Sequence, residues 1–203
     1  MFFYPEQSLR DPVLYPWTVR TAPERRAGNN QTIADCTFVN SWMGIRIGPE
    51  ANECHTFRRV RICALRTGFH IDMTTDIGRI TDVVVSPKVW CSSGFPGSPA
   101  LSTLRTYLQT QDTAAAVYTR SDWEYIRGLR GLGIWYPEQP LTEPTAYPWA
   151  VRALGPKCWL TDVNLGNAWL GVDFATRRSD GHRLSYVSGG FYKVGVYLKY
   201  TIV

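Results

Sequence analysis

A chain of 203 residues, 44% hydrophobic, with a formal charge of +5, is long enough to bury a sizeable core in one domain. No segment reaches transmembrane length, the apolar run at Met1-Phe2-Phe3-Tyr4 is too short for a signal peptide, and Cys36, Cys54, Cys63, Cys91 and Cys158 show neither CxxC pairing nor zinc spacing. The basic residues are scattered (Arg58, Arg59, Arg61, Arg66, Arg177, Arg178, Arg183), with no basic tail, RNP-like signature or helix-turn-helix pattern. That argues against a nucleic-acid partner and for a solvated or polyanion-facing surface.

The first element, Tyr4 to Arg20 (YPEQSLRDPVLYPWTVR), is nearly repeated at Tyr136 to Arg152 (YPEQPLTEPTAYPWAVR), with 11 of 17 positions identical at an offset of 132. At least three prolines in each copy and the lack of a strand pattern predict extended loops, with Tyr15 and Trp17, and their counterparts Tyr147 and Trp149, folded back as packing anchors or as sugar-stacking surfaces. Further on the copies stay in step at an offset of 127: Asp35 with Asp162, Asn40 with Asn167, Trp42 with Trp169, Gly44 with Gly171, His55 with His182 and Gly68 with Gly195.

A finer period follows. The pattern apolar-x-x-apolar-x-apolar occurs at Ile33/Cys36/Phe38, Phe57/Val60/Ile62, Ile80/Val83/Val85 and Leu160/Val163/Leu165, and more weakly at Leu184/Val187. Short runs opened by glycine come after them, at Gly44, Gly68, Gly133, Gly171 and Gly195. Alternating apolar character predicts strands, and a glycine before each suits a sharp bend. Cys36 takes an inward position, as a small hydrophobe. Pro87 to Pro99 reads as a loop, and Leu101, Leu104 and Leu108 predict a short amphipathic helix over residues 100–110.

Two strands per coil of about 24 residues is the arithmetic of a parallel β-solenoid, in which each coil hides its apolar face against its neighbours. A β-sandwich has strands at similar spacing but no reason to repeat its loop residues as well. The expected fold is therefore all-β, a right-handed parallel β-helix with one short helical insertion. It forms a single domain over residues 1–203 with internal repeats at 4–72 and 136–199. Since Met1 to Tyr4 aligns with the middle of a coil, a truncated N-terminus and exposed strand edges are expected, hence poor solubility in isolation.

The stretch from Gly44 to Trp90, with RSDWEYIRGL and GIWYPEQ, resembles the pectate lyase superfamily, particularly its branch similar to glycoside hydrolase family 55 and phage tailspike proteins. The resemblance covers most of the chain and is specific for fold but weak for reaction. It implies a polysaccharide partner, an extracellular or virion-associated location and, if phage-derived, a homotrimer. Membrane and nucleic acid are not expected partners.

Glycoside hydrolysis takes two carboxyl groups, and β-elimination takes a base with a cation beside the developing charge. Asp72, Asp76 and Arg79 in one group, and Asp122, Trp123 and Glu124 in another, combine acids, cations and aromatics at coil turns, and are the catalytic candidates, Trp123 joining Tyr15, Trp17, Tyr147 and Trp149 as candidate sugar contacts. Asp76 and Arg79 equally suit turn capping and a tie between coils. His55 and His182, equivalent by repeat, read as turn holders. No cofactor is expected, and a divalent cation such as calcium is left open. Two functions follow: cleavage of a polysaccharide, acidic ones included, or a non-catalytic glycan-binding or tail-fibre module.

Overall fold

The computed structural model describes residues 17–21, 29–49, 53–72, 74, 76–109, 115–119, 123–131, 149–155, 157–174 and 181–198. In chain order the strands are β1 (Trp17–Arg20), β2 (Thr32–Ala34), β3 (Thr37–Ile47), β4 (Thr56–Arg58), β5 (Arg61–Ile71), β6 (Gly78–Thr81) and β7 (Val84–Val85). Helices α1 (Lys88–Cys91) and α2 (Leu101–Gln109) come next, and then β8 (Ala115–Thr119), β9 (Glu124–Arg127), β10 (Arg130–Gly131), β11 (Trp149–Ala153), β12 (Trp159–Phe174) and β13 (Arg183–Leu198). Apart from these two helices the described residues form an all-β structure, and their strand pairs are parallel.

The pairs fall into three ladders. The first joins β2, β4, β6, β9 and the starts of β12 and β13. The second joins the starts of β3 and β5 to β7, β10 and the middle of β12. In the third, β1, the ends of β3 and β5, β8, β11 and the end of β12 lie side by side.

Register stacks like residues on like. Ile33, Phe57, Ile80, Ile126, Leu160 and Leu184 form one inward column of the first ladder. Ile45, Phe69, Val117, Val151 and Val172 form another in the third, all at 0% exposure. The two meet where the Phe57 and Phe69 rings stack at 5.4 Å. Core burial is therefore shared between successive coils, as the repeat requires.

The sequence period is irregular because two coils carry long excursions. Ile80 and Ile126 are register neighbours although 46 residues apart, with both helices between them. Leu104 of α2 is fully buried, so the expected helix does pack on the stack. The coil through Ile126 and Leu129 escapes the sequence pattern because Gly131 stands where the third apolar residue is expected, opposite Val85.

The corners are built differently from the expectation. Asp35, Arg59, Asp82, Gly128, Asp162 and Tyr186 all have positive φ, between 51° and 66°, and lie one residue past partners in the first ladder. One left-handed residue turns each coil from the first ladder into the second, and the next coil's carbonyl holds it, as in Asp35 N–H to Arg58 O at 3.1 Å and Asp82 N–H to Arg127 O at 2.9 Å. A second left-handed column, Asn30, Cys54, Trp123, Lys157 and Gly181, precedes the first ladder.

Gly44 and Gly68 sit instead inside continuous strands. A Cβ on Gly44 would overlap the carbonyl oxygen of Gly68 and Cδ1 of Ile62, so glycine here serves the close approach of coils rather than a turn. The end of the Tyr4 to Arg20 segment and of its repeat also departs from the expected loop, forming β1 and β11. Val19 and Val151 complete the inward column of the third ladder and pull these residues into strands.

Candidate functional site

Along β6, β9, β12 and β13 the inward column of Ile80, Ile126, Leu160 and Leu184 forces the preceding residues to face outward. These are Arg79, Tyr125, Trp159 and Arg183, in register across four strands. Beside them runs a second outward row of Thr81, Arg127, Thr161 and Ser185. The two left-handed corner columns flank this floor, with Trp123, Lys157 and Gly181 on one side and Asp82, Gly128, Asp162 and Tyr186 on the other.

The result is a groove with two adjoining hollows that share Tyr125 and Trp159. One, of about 390 Å³, is closed by Trp123, Lys157, Gly181 and Arg183. The other, of about 720 Å³, reaches Arg79, Arg127, Asp162 and Tyr186. The aromatic rings are held in place: Tyr125 meets Trp159 edge-on at 4.7 Å, and Trp159 Nε1 donates to the Gly181 carbonyl at 2.8 Å. Cations rest on them, Lys157 Nζ 4.4 Å from the Trp123 ring centre and the Arg183 guanidinium 4.2 Å from that of Trp159.

Arg79, Arg127, Lys157 and Arg183 make the groove basic. Its acid, Asp162, is engaged by Arg130, which reaches both carboxylate oxygens at 3.0 and 3.2 Å and the Asp162 carbonyl at 2.7 Å. Chemically, the arrangement offers apolar ring faces to sugar C–H groups and cations to carboxylates or sulfates.

Two of the residues expected from sequence, Arg79 and Trp123, lie in this groove, while Glu124, Asp72, Asp76, Trp17 and Trp149 lie elsewhere. Glu124 points inward, fully buried, with Oε1 3.1 Å from His55 Nε2. Gly78, between them in the stack, leaves room for this pair, since a Cβ there would overlap both side chains. Buried Cys158 follows in the same column, its thiol pushed up by burial and by the Glu124 carboxyl. His182 Nδ1 accepts from the Cys158 N–H at 3.2 Å and so holds the turn before β12, whereas His55, its equivalent by repeat, pairs with the Glu124 side chain.

Asp72 is buried just past β5, with Oδ2 3.8 Å from His70 Nε2. Asp76 Oδ1 accepts the Ile77 N–H at 2.8 Å, which caps the turn before β6. Trp17 packs edge-on against His70 at 5.4 Å on the third ladder. Trp149 opens β11 opposite Leu170. Tyr15, Asp122 and Tyr147 lie outside the described residues.

Tyr125, Trp159, Lys157, Arg127 and Arg183 were not singled out as site residues from sequence. Their signal is positional: each of Tyr125, Trp159 and Arg183 directly precedes a residue of the inward column, as Arg79 does. Among the described residues, no cluster of three or more His, Cys, Asp or Glu side chains is arranged to hold a metal ion, and no helix is long and apolar enough to cross a membrane. None of the five cysteines is in a disulfide.

No known family model matches the chain, and neither a curated protein nor a solved structure is significantly similar to it.

Proposed function

We propose that the chain is a right-handed parallel β-helix of the pectate lyase type that binds polysaccharide along the outward face of its first ladder. The three parallel ladders, closed at the first corner by a column of left-handed residues, support the coiled reading of the fold. The observation that carries the function is the groove floor of Arg79, Tyr125, Trp159 and Arg183, stacked in register and continued by Trp123 and Lys157. Strand spacing of about 4.8 Å suits an extended chain of sugars crossing the strands, with rings against Tyr125 and Trp159 and acidic groups on the cations. An extracellular or virion-surface setting belongs to this proposal.

Binding is favoured over cleavage by where the acids lie among the described residues. Glu124 and Asp72 are buried away from the groove, and Asp162 at its rim is tied to Arg130. Cleavage is the second reading, with Asp162 as the carboxylate that borders the larger hollow.

The experiment is incubation with a panel of acidic and neutral polysaccharides, following binding together with new reducing ends and the absorbance of unsaturated uronates. Saturable binding with neither product supports the binding module. Unsaturated product indicates a lyase, and reducing ends alone a hydrolase. No binding to any member of the panel would overturn the proposal.

A further inference from the structure

The third ladder carries on its outward side a column unrelated to the groove: Arg20, Arg46, His70, Tyr118, Arg152 and Asp173, in register from β1 to β12. Neighbouring strands are about 4.8 Å apart, so like charges in adjacent positions repel. In one half of the column this is balanced, because Arg152 Nε lies 3.1 Å from Asp173 Oδ2 and its guanidinium sits 6.0 Å over the Tyr118 ring.

Among the described residues, the other half is not balanced in the same way. Arg20 and Arg46 are direct register neighbours, and the next position is His70. Arg46 Nε is buried yet has no hydrogen-bond partner among the described residues. The carboxylate near this end, Asp72, lies 3.8 Å from His70 Nε2, on the strand beyond Arg46. Trp17 stands edge-on to His70 at 5.4 Å and walls the position. Arg20, at the end of the column, is exposed. Two arginines adjacent in register, one with a buried N–H left unmatched among the described residues, suit an oxyanion accepting from both.

We propose that Arg20 and Arg46 form a second binding site, separate from the groove, for a small oxyanion group: phosphate, sulfate or carboxylate. The ion neutralises the adjacent charges and accepts from Arg46 Nε, and the His70 and Trp17 rings bound it on one side.

The test is thermal melting and titration calorimetry of the whole chain with sodium phosphate, sodium sulfate and sodium glucuronate, each against sodium chloride at equal ionic strength. At least one of the three raises the midpoint in a saturable way that chloride does not match. Phosphate or sulfate as the effective ion points to a free or esterified inorganic anion, and glucuronate to a sugar-borne carboxylate. Arg46→Met loses the shift, and Arg20→Met weakens binding by about tenfold or more, whereas Arg61→Met, at an exposed position of the second ladder, leaves it unchanged. Because Arg20 is exposed, its variant keeps the test valid even where Arg46→Met fails to fold. A shift that chloride reproduces, or one equally large in Arg20→Met, overturns the proposal.

Discussion

His55 and Glu124, 69 residues apart in sequence, share a 3.1 Å hydrogen bond where neither side chain touches solvent. The bond crosses the coil of Gly78, whose missing side chain makes it geometrically open. His55 Nδ1 and Glu124 Oε2 have no further partner among the described residues, so the two side chains depend on each other. Replacing His55 alone by leucine leaves a buried carboxyl group unmatched, at a cost of about 1–3 kcal/mol, and more if it is charged. Replacing both by leucine recovers most of that loss. Urea denaturation in a double-mutant cycle measures the coupling, and a coupling below about 0.5 kcal/mol contradicts this account.

Glycine plays two separate roles. At Gly44 an added Cβ meets the backbone of the next coil, so Gly44→Ala costs about 1–3 kcal/mol through overpacking. At Gly94, where φ is +74° and nothing lies within 4 Å, Gly94→Ala costs only the left-handed strain, about 1–2 kcal/mol. Melting of Gly44→Ala alongside Ala64→Gly, a control on the neighbouring coil, separates steric overlap from loss of burial. A Gly44→Ala protein as stable as the wild type removes the close-approach argument.

The corner pair Asp35–Arg59 sets a pH dependence. The Arg59 guanidinium donates two hydrogen bonds to the Asp35 carboxylate, of 2.5 and 2.6 Å, and holds its pKa below the ordinary carboxylate value. A lowered folded-state pKa gives stability that is present above the unfolded value and is lost as pH falls through the folded one. Asp35→Asn therefore melts slightly below the wild type near neutral pH, and the gap closes in acid as the pH falls through the lowered folded-state value. The pair is exposed, so the gap also shrinks in high salt. A gap that persists or widens in acid contradicts the assignment.

Much of the stack was legible in the sequence, for a physical reason. Each coil must present an apolar residue to the same column, so Ile33, Phe57, Ile80 and Leu160 appear as a period. The corners were not legible, because a left-handed residue fixed by the neighbouring coil's carbonyl tolerates Asp, Arg, Gly and Tyr alike. The coil through Ile126 was hidden by Gly131 and by the insertions around it. For the candidate site, acid-rich turns drew attention to Asp72 and Glu124, and only register tells that these are buried while Tyr125 and Trp159 face outward.

Substitutions in one strand should separate groove from core. Tyr125 and Ile126 are adjacent in β9 and point to opposite sides. Ile126→Ala costs about 2–5 kcal/mol of stability. Tyr125→Ala changes stability far less but weakens polysaccharide binding by about tenfold, the loss of one stacking contact. Circular dichroism melts and affinity electrophoresis of the two variants check both halves.

The most direct test of the groove is a titration of the whole chain with the tightest-binding polysaccharide of the panel, comparing wild type with Arg79→Ala combined with Tyr125→Ala, and with Trp17→Ala on the third ladder. The account predicts saturable binding by the wild type and by Trp17→Ala, and loss of about a hundredfold in the double variant with an unchanged circular dichroism spectrum. Undiminished binding by the folded double variant would contradict it, and would move the glycan site off the first ladder.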